Sequence, residues 1–160
     1  MQPLMGTFVE IGTLADSINA ESGISSAFTV IHEVQNKLSG HHPQSELSIL
    51  NASCQQEVTL SPLSATALRL AKYVTIKTAG VFNFSVGGHL VKLGKLPQFG
   101  NNTLLDFGRA DDLELKGYKA KLRRPVHITL DGIAKGFAVD LAVYKMKQNG
   151  LHCGWVNAGG

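Results

Sequence analysis

Apolar and polar residues alternate from Met5 to Gly12, with Phe8, Glu10 and Gly12 against Val9 and Ile11, which predicts a half-buried strand. Ala27, Ile31, Val34 and Leu38 then recur at helical spacing and predict an amphipathic helix. Gly40-His41-His42-Pro43 reads as a loop, and Ser45 suits the cap of a short helical turn running through Asn51. Glu57 to Leu60 predicts a short strand. Ser61-Pro62 opens another helix, with serine at the cap and proline in the first turn. Its expected buried stripe is Leu63, Ala67, Leu70 and Val74, and Gly80 ends it.

Farther along, Val81 to Val86 reads as extended and is broken by Gly87-Gly88. Asn101-Asn102 and Asp111-Asp112 mark polar turns. Leu113 to Lys116 and Lys119 to Leu122 flank Gly117-Tyr118 as the two arms of a hairpin. Ile128 to Leu130 predicts a strand, and the helix after it buries Ala134, Phe137, Ala138, Leu141 and Ala142 until Asn149-Gly150 stops it. Val156 falls on a last strand. No repeat, linker or low-complexity segment interrupts this order, so one α+β domain over residues 1–160 is expected.

Composition narrows the class. With 44% hydrophobic and 17% charged residues, the chain has the balance of a globular protein with a real core. Seventeen glycines exceed the usual share of about 7% and imply tight turns or close ligand approaches. The net charge of +3 is spread along the chain. Its densest stretch, Lys116 to Arg124, lacks the aromatic interleaving of a nucleic-acid surface and reads as a solvated edge hairpin. Cys54 and Cys153 form no CxxC pair; a bridge would need an oxidising compartment, and two buried thiols are the preferred reading. No apolar run reaches membrane-spanning length, and the opening MQPLMGTFVEI lacks the charged and apolar regions of a signal peptide.

The chemistry concentrates between Ile128 and Gly160. A strand, a turn at Asp131-Gly132, a helix opening with Lys135, a second strand and a glycine pair make the pattern of an anion site. Bare glycine lets main chain approach a ligand, and a helix start offers free N–H groups at its positive end. Lys135 adds a full charge there. Other phosphate and catalytic patterns are missing. No two glycines are separated by a single residue, so GxGxxG cannot occur, and Gly160 stands where a GxxxxGK[ST] loop needs lysine. His32-Glu33 begins like a zinc-protease motif but Asn36 replaces its second histidine, and no GxSxG elbow is present. His41-His42 without nearby cysteine or carboxylate reads as solvated.

Taken in order, these pieces resemble the flavin transferase family, the ApbE-type FAD:protein FMN transferases once described as thiamine-biosynthesis lipoproteins. The family's opening Met-Gly-Thr strand is similar to Met5-Gly6-Thr7. Its Ser-x-x-x-Pro-x-Ser-Glu-Leu-Ser-x-x-Asn segment is similar to Ser39, Pro43, Ser45-Glu46-Leu47-Ser48 and Asn51. Gly80-Val81-Phe82-Asn83 and Val86-Gly87 resemble its Gly-x-Phe-Asp segment and following turn. Gly132-Ile133-Ala134-Lys135-Gly136-Phe137-Ala138-Val139-Asp140 and Val156-Asn157-Ala158-Gly159-Gly160 resemble its Gly-Ile-Ala-Lys run and closing Val-Asn-x-Gly-Gly strand. The resemblance spans Met5 to Gly160 and matches about the N-terminal half of a family member.

That resemblance implies an α+β, T-fold-type arrangement of antiparallel sheets packed with helices, cut short at its C-terminal side. It implies FAD as substrate and Mg²⁺ as metal, with FMN passed to a threonine or serine of an acceptor flavoprotein subunit and AMP released. Lys135 would hold the pyrophosphate, and the Gly132 carbonyl would be a main-chain metal ligand. Met5 would touch the flavin nucleotide, His41 would stack on a ring where the family often has tyrosine, and Val81, Phe82 and Asn83 would line the same cleft. Glu46 would support its loop through hydrogen bonds, and Asp140 would cap or pair within the fold. A periplasmic or cell-envelope location, with a lipid anchor beyond this chain, is also what the resemblance implies.

Three departures qualify it. Thr129 stands where the family has an acidic residue, while Asp131 replaces the first glycine of its Gly-Gly pair. Side chains two apart on a strand share a face, so Asp131 is expected to do that residue's work. Asn83 replaces an aspartate and removes a charge. The family's downstream aspartate and threonine lie past Gly160, which weakens the expected Mg²⁺ site and leaves edges that favour self-association into a dimer. An FAD-binding module without chemistry, a slow FAD pyrophosphatase, and a partner-binding domain without flavin affinity stand beside the transferase reading.

Overall fold

Two consecutive residues with positive φ, Met5 (56°) and Gly6 (71°), close the hairpin between β1 (Gln2–Leu4) and β2 (Thr7–Thr13), in which Leu4 pairs with Thr7. Positive φ at both central residues is the signature of a type I′ turn, whose twist matches the strands it joins. The sequence reading placed Met5 and Gly6 in the strand and missed β1, whose three residues are too few to show alternation. The computed structural model describes residues 1–14 and 20–159, so Gly160 of the closing motif lies outside the described residues.

The chain forms two compact units, Met1–Asn36 with Ile133–Gly160, and Lys37–Gly132. In the first, β2 is the centre of an antiparallel sheet ordered β1-β2-β6, with β6 spanning Gly154–Asn157 and Ile11 facing Val156. Helix α1 (Ala20–Leu38) carries the predicted stripe, and Ala27, Ile31, Val34 and Leu38 are all buried. The last helix of the chain, α5 (Ala134–Gln148), buries Ala134, Phe137, Ala138, Ala142 and Met146. Leu141, expected inside, is half-buried. Asn149 caps α5 and Gly150 leaves it with a φ of 79°, as a helix stop requires.

The second unit holds α2 (Glu46–Ala52), α3 (Pro62–Lys77), the short α4 (Gly87–Lys92) and an antiparallel sheet ordered β3-β5-β4. Its strands are β3 (Glu57–Thr59), β4 (Leu113–Lys116) and β5 (Lys119–Leu122), and the last two are the predicted hairpin. Leu47, Leu50, Leu68, Phe84, Leu113, Leu122, Ile128 and Leu130 form its core. Ser45 and Ser61 cap α2 and α3 through the amides of Ser48 and Ser64.

Several expectations change here. Helix α3 buries Ser64, Ala65, Ala67, Leu68, Ala71 and Thr75, while Leu70 is exposed. The helix turns mostly small side chains inward, where they allow close approach, so of the expected stripe only Ala67 is fully buried. Val81 to Val86 is bends and turns, not a strand, because Asn83 and Thr78 side chains take up its amides. Gly87-Gly88 opens a helix where the sequence suggested a break. Cys54 is half-buried and Cys153 exposed, against the expected pair of buried thiols.

Candidate functional site

Residues 125–130 carry the core toward the Asp131-Gly132 turn without joining either sheet, so Ile128 to Leu130 is not the strand expected from its β-branched residues. Several of its peptides find different partners. The Leu105 amide donates to the Pro125 carbonyl at 2.9 Å, the Gly87 amide to the His127 carbonyl at 3.0 Å, and the Thr129 amide to the Phe84 carbonyl at 2.9 Å. Ile128 is held by a side chain: its amide donates to Asn51 Oδ1 at 2.8 Å, and Asn51 Nδ2 donates back to its carbonyl at 2.9 Å. Much of this buried run is thus satisfied one group at a time by scattered partners.

At the end of this run, Thr129 Oγ1 donates to Asp131 Oδ2 at 2.9 Å. The two side chains lie on one side, and the hydroxyl orients the carboxylate. Gly132 follows against the Phe82 ring, which a Cβ on Gly132 would meet at 2.9 Å. Phe82 is itself set by a hydrogen bond from its amide to Thr78 Oγ1 at 3.1 Å. Asn83 accepts from the Ser85 amide and hydroxyl, both at 2.9 Å, and donates to the Gly108 carbonyl at 3.1 Å. That role is structural, and an aspartate could not make the Gly108 bond. Val81 is 92% exposed beside them. Thr129, Asp131, Gly132, Phe82 and Asn83 therefore belong to one neighbourhood of the second unit.

Two other predicted residues belong to the first unit. Met5 is held in its left-handed turn by its amide, which donates to Gln35 Oε1 at 2.6 Å. Lys135 is exposed in the first turn of α5. That turn contains no acidic residue, and the N-cap Ile133 makes no side-chain cap bond, so no side chain of the helix start offsets its positive end. His41 is exposed on the loop before α2, with its amide directed at Ser39 Oγ, and no stacked ring pair among the described residues includes it. Asp140 is exposed on α5.

Supporting groups are more buried. Glu46 accepts from Lys37 Nζ at 2.8 Å and from the Ser61 amide and hydroxyl at 2.8 and 2.9 Å, which joins α2 to the start of α3. Burial would raise its pKa, but the Lys37 and Ser61 hydrogen bonds outweigh it and hold the carboxyl below its usual range. His127 is fully buried with no hydrogen-bond partner at either ring nitrogen, and burial lowers its pKa.

Across the chain, residues 5–160 match the family model described as the ApbE family. The chain belongs to the ApbE family. Among solved structures it is similar to a variant of the flavin transferase ApbE from Vibrio cholerae, with 21% identity and a TM-score of 0.86 over 99% of this chain and 59% of that one. The ApbE protein from Thermotoga maritima matches at 23% identity and a TM-score of 0.84, covering 98% of this chain and 55% of that one. The apo form of the Pseudomonas stutzeri flavinyl transferase ApbE matches at 16% identity and 0.77, over 96% and 57%. This chain therefore spans somewhat more than half the length of the ApbE structures it matches, and it shares their α+β fold. Comparison with curated proteins finds no match.

Within this ApbE-family chain, sequence reasoning gave Asn51 no role, although its spacing held a signal. Ser48 and Asn51 sit on the same face of α2 as Leu47, and polar residues on a buried face need specific partners. Ser85, Gly108 and Thr78, which hold Asn83 and Phe82, left no comparable trace.

Proposed function

We propose that this chain binds FAD as part of a flavin transferase that moves FMN to a threonine or serine hydroxyl of an acceptor protein and releases AMP. The observation that carries the reading is the start of α5, where an exposed Lys135 joins an uncapped helix end in a chain of the ApbE family. A diphosphate is the anion that such a site suits, because its charge is spread over several oxygens that free amides and an ammonium can share. In the reaction, the acceptor hydroxyl oxygen bonds to the phosphorus of the FMN moiety as the bridging P–O bond breaks. The hydroxyl proton is lost and AMP takes up the bridging oxygen. Lys135 would offset charge on the diphosphate, and restraint of the substrate would supply much of the rate.

Mg²⁺ would add charge neutralisation at the diphosphate, and it takes oxygen donors. The donors offered here are the Asp131 carboxylate, oriented by Thr129, and the Gly132 carbonyl. Among the described residues no three or more His, Cys, Asp or Glu gather around an ion, so these two supply only part of a coordination shell. The cell envelope is the compartment this reading expects.

Incubation with FAD, Mg²⁺ and a flavin-accepting protein tests the proposal. Release of AMP with a covalently fluorescent acceptor is expected. FAD binding with neither product would instead favour the flavin-binding module, a reading supported by the sparse carboxylates and the neutral Asn83. AMP and free FMN without labelled acceptor would mark a pyrophosphatase.

A further inference from the structure

Asn51 lies in the last turn of α2, 2% exposed, and grips Ile128 across 77 residues of sequence. Its amide supplies one donor and one acceptor to one residue's main chain, the exchange that a neighbouring strand would make in a ladder. The helix that carries it is itself fixed. The Ser48 amide donates to Ser45 Oγ at 3.0 Å, Ser45 Oγ donates to the Ser39 carbonyl at 2.7 Å, and Glu46 ties the helix to Lys37 and Ser61. The next residue after Ile128 is Thr129, whose hydroxyl orients Asp131, and Gly132 follows. No sheet holds this run in place, so the amide clamp on Ile128, with the Thr129–Phe84 main-chain bond beside it, fixes the chain upstream of the turn.

We propose that Asn51 is a positioning residue, which sets Thr129, Asp131 and Gly132 in place for the flavin nucleotide by clamping the main chain of Ile128. The inference rests on the FAD-binding reading above, but the clamp itself can be tested without ligand. Asn51→Asp is the informative change because it keeps the shape. A carboxylate still accepts from the Ile128 amide, yet it faces the Ile128 carbonyl oxygen with another oxygen. A neutral carboxylic acid restores the donor, and burial favours the neutral form. Lowering the pH should therefore repair the variant. His127, next in sequence to Ile128, and Glu46, on the same helix as Asn51, also carry titratable groups, and the wild type measured at each pH accounts for both.

Calorimetry with FAD at pH 8 and pH 5, with circular dichroism to confirm folding, reads the effect. At pH 8 the variant should bind about tenfold more weakly than wild type (~1.4 kcal/mol), and at pH 5 the gap should close. Equal affinities at both pH values in a folded variant would overturn the proposal. Hydrogen exchange at Thr129, Asp131 and Gly132, compared at matched pH, separates this inference from the functional reading. If the wild type binds no FAD, the functional reading fails; faster exchange in the pH 8 variant would still support the clamp, and unchanged exchange would overturn it. Should Asn51→Asp not fold at pH 8, Asn51→Ser, which retains one hydrogen bond at most and does not titrate, takes its place: weaker FAD binding than wild type at both pH values with faster exchange at Thr129, Asp131 and Gly132 supports the clamp, and wild-type affinity and exchange overturn it.

Discussion

The Phe82 ring sits so close to Gly132 that a Cβ added there would lie 2.9 Å from Cε2. The contact joins two segments that sequence similarity singled out separately, and it explains why a side chain is excluded at the turn. Gly132→Ala should force the ring or the turn to move, at a cost of about 1–3 kcal/mol typical of overpacking. The denaturation midpoint should fall, and FAD affinity should fall with it. Replacing Phe82 with leucine in the same chain should recover part of the stability loss. Additive losses in the double variant would contradict the contact.

Lys135 makes a different kind of prediction, because it is exposed and helps no core. Lys135→Ala should leave the melting temperature nearly unchanged, since alanine is a good helix former. FAD affinity should drop about tenfold, or ~1.4 kcal/mol. Salt screens exposed charge, so the wild type should bind FAD more weakly as ionic strength rises, and the variant should respond less. Titration of both proteins at low and high salt measures this. An unchanged affinity would remove Lys135 from the anion site.

His127 links the core to pH. Its folded pKa lies below its ordinary value because burial disfavours the charged ring, whereas the unfolded chain binds the proton freely near about 6.5. The unfolded state therefore binds more protons once the pH drops below that value, and stability should decline from there. Above it, no proton is bound in either state and the term vanishes. His127→Leu should flatten this decline and, by removing two unpartnered ring nitrogens, add about 1 kcal/mol at pH 8. Urea denaturation of both proteins at pH 8 and pH 5 tests the sign, and parallel acid losses in the two would refute it.

What the sequence revealed of the fold followed how local each signal was. Ser45 and Ser61 act on amides three residues away, and the β4–β5 hairpin closes on its own turn, so both were legible. The α3 stripe was misplaced because its packing depends on what lies opposite, and small residues carry little weight in a periodicity count. Ile128 to Leu130 has the composition of a strand but bonds to Asn51 and Phe84, and no local pattern records partners so distant. The same division holds at the site. Two-residue spacing put Thr129 and Asp131 on one side, where they hydrogen-bond, whereas no local pattern announced the bonds of Asn83 to Ser85 and Gly108.

Asp112 completes the acid-range behaviour. It is buried just before β4, where Arg124 donates to both its oxygens at 2.5 and 2.6 Å and the Arg109 amide donates at 2.7 Å. The Arg124 hydrogen bonds, opposed by burial and aided by the Arg109 amide, hold its carboxyl below the usual range. A depressed folded pKa means the contribution is fully present above the unfolded value of about 3.9 and is lost as the pH falls through the folded one. This step should therefore appear at lower pH than that of His127. Asp112→Asn keeps the shape but loses the charge that Arg124 meets, so its melting temperature at pH 7 should be several degrees lower. Below about pH 4 the difference from wild type should narrow, since the unfolded carboxyl then takes up a proton that the native one resists. Melting curves of the two proteins from pH 7 to pH 3 decide the matter: a constant gap across that range would show that the carboxylate charge contributes nothing to the fold.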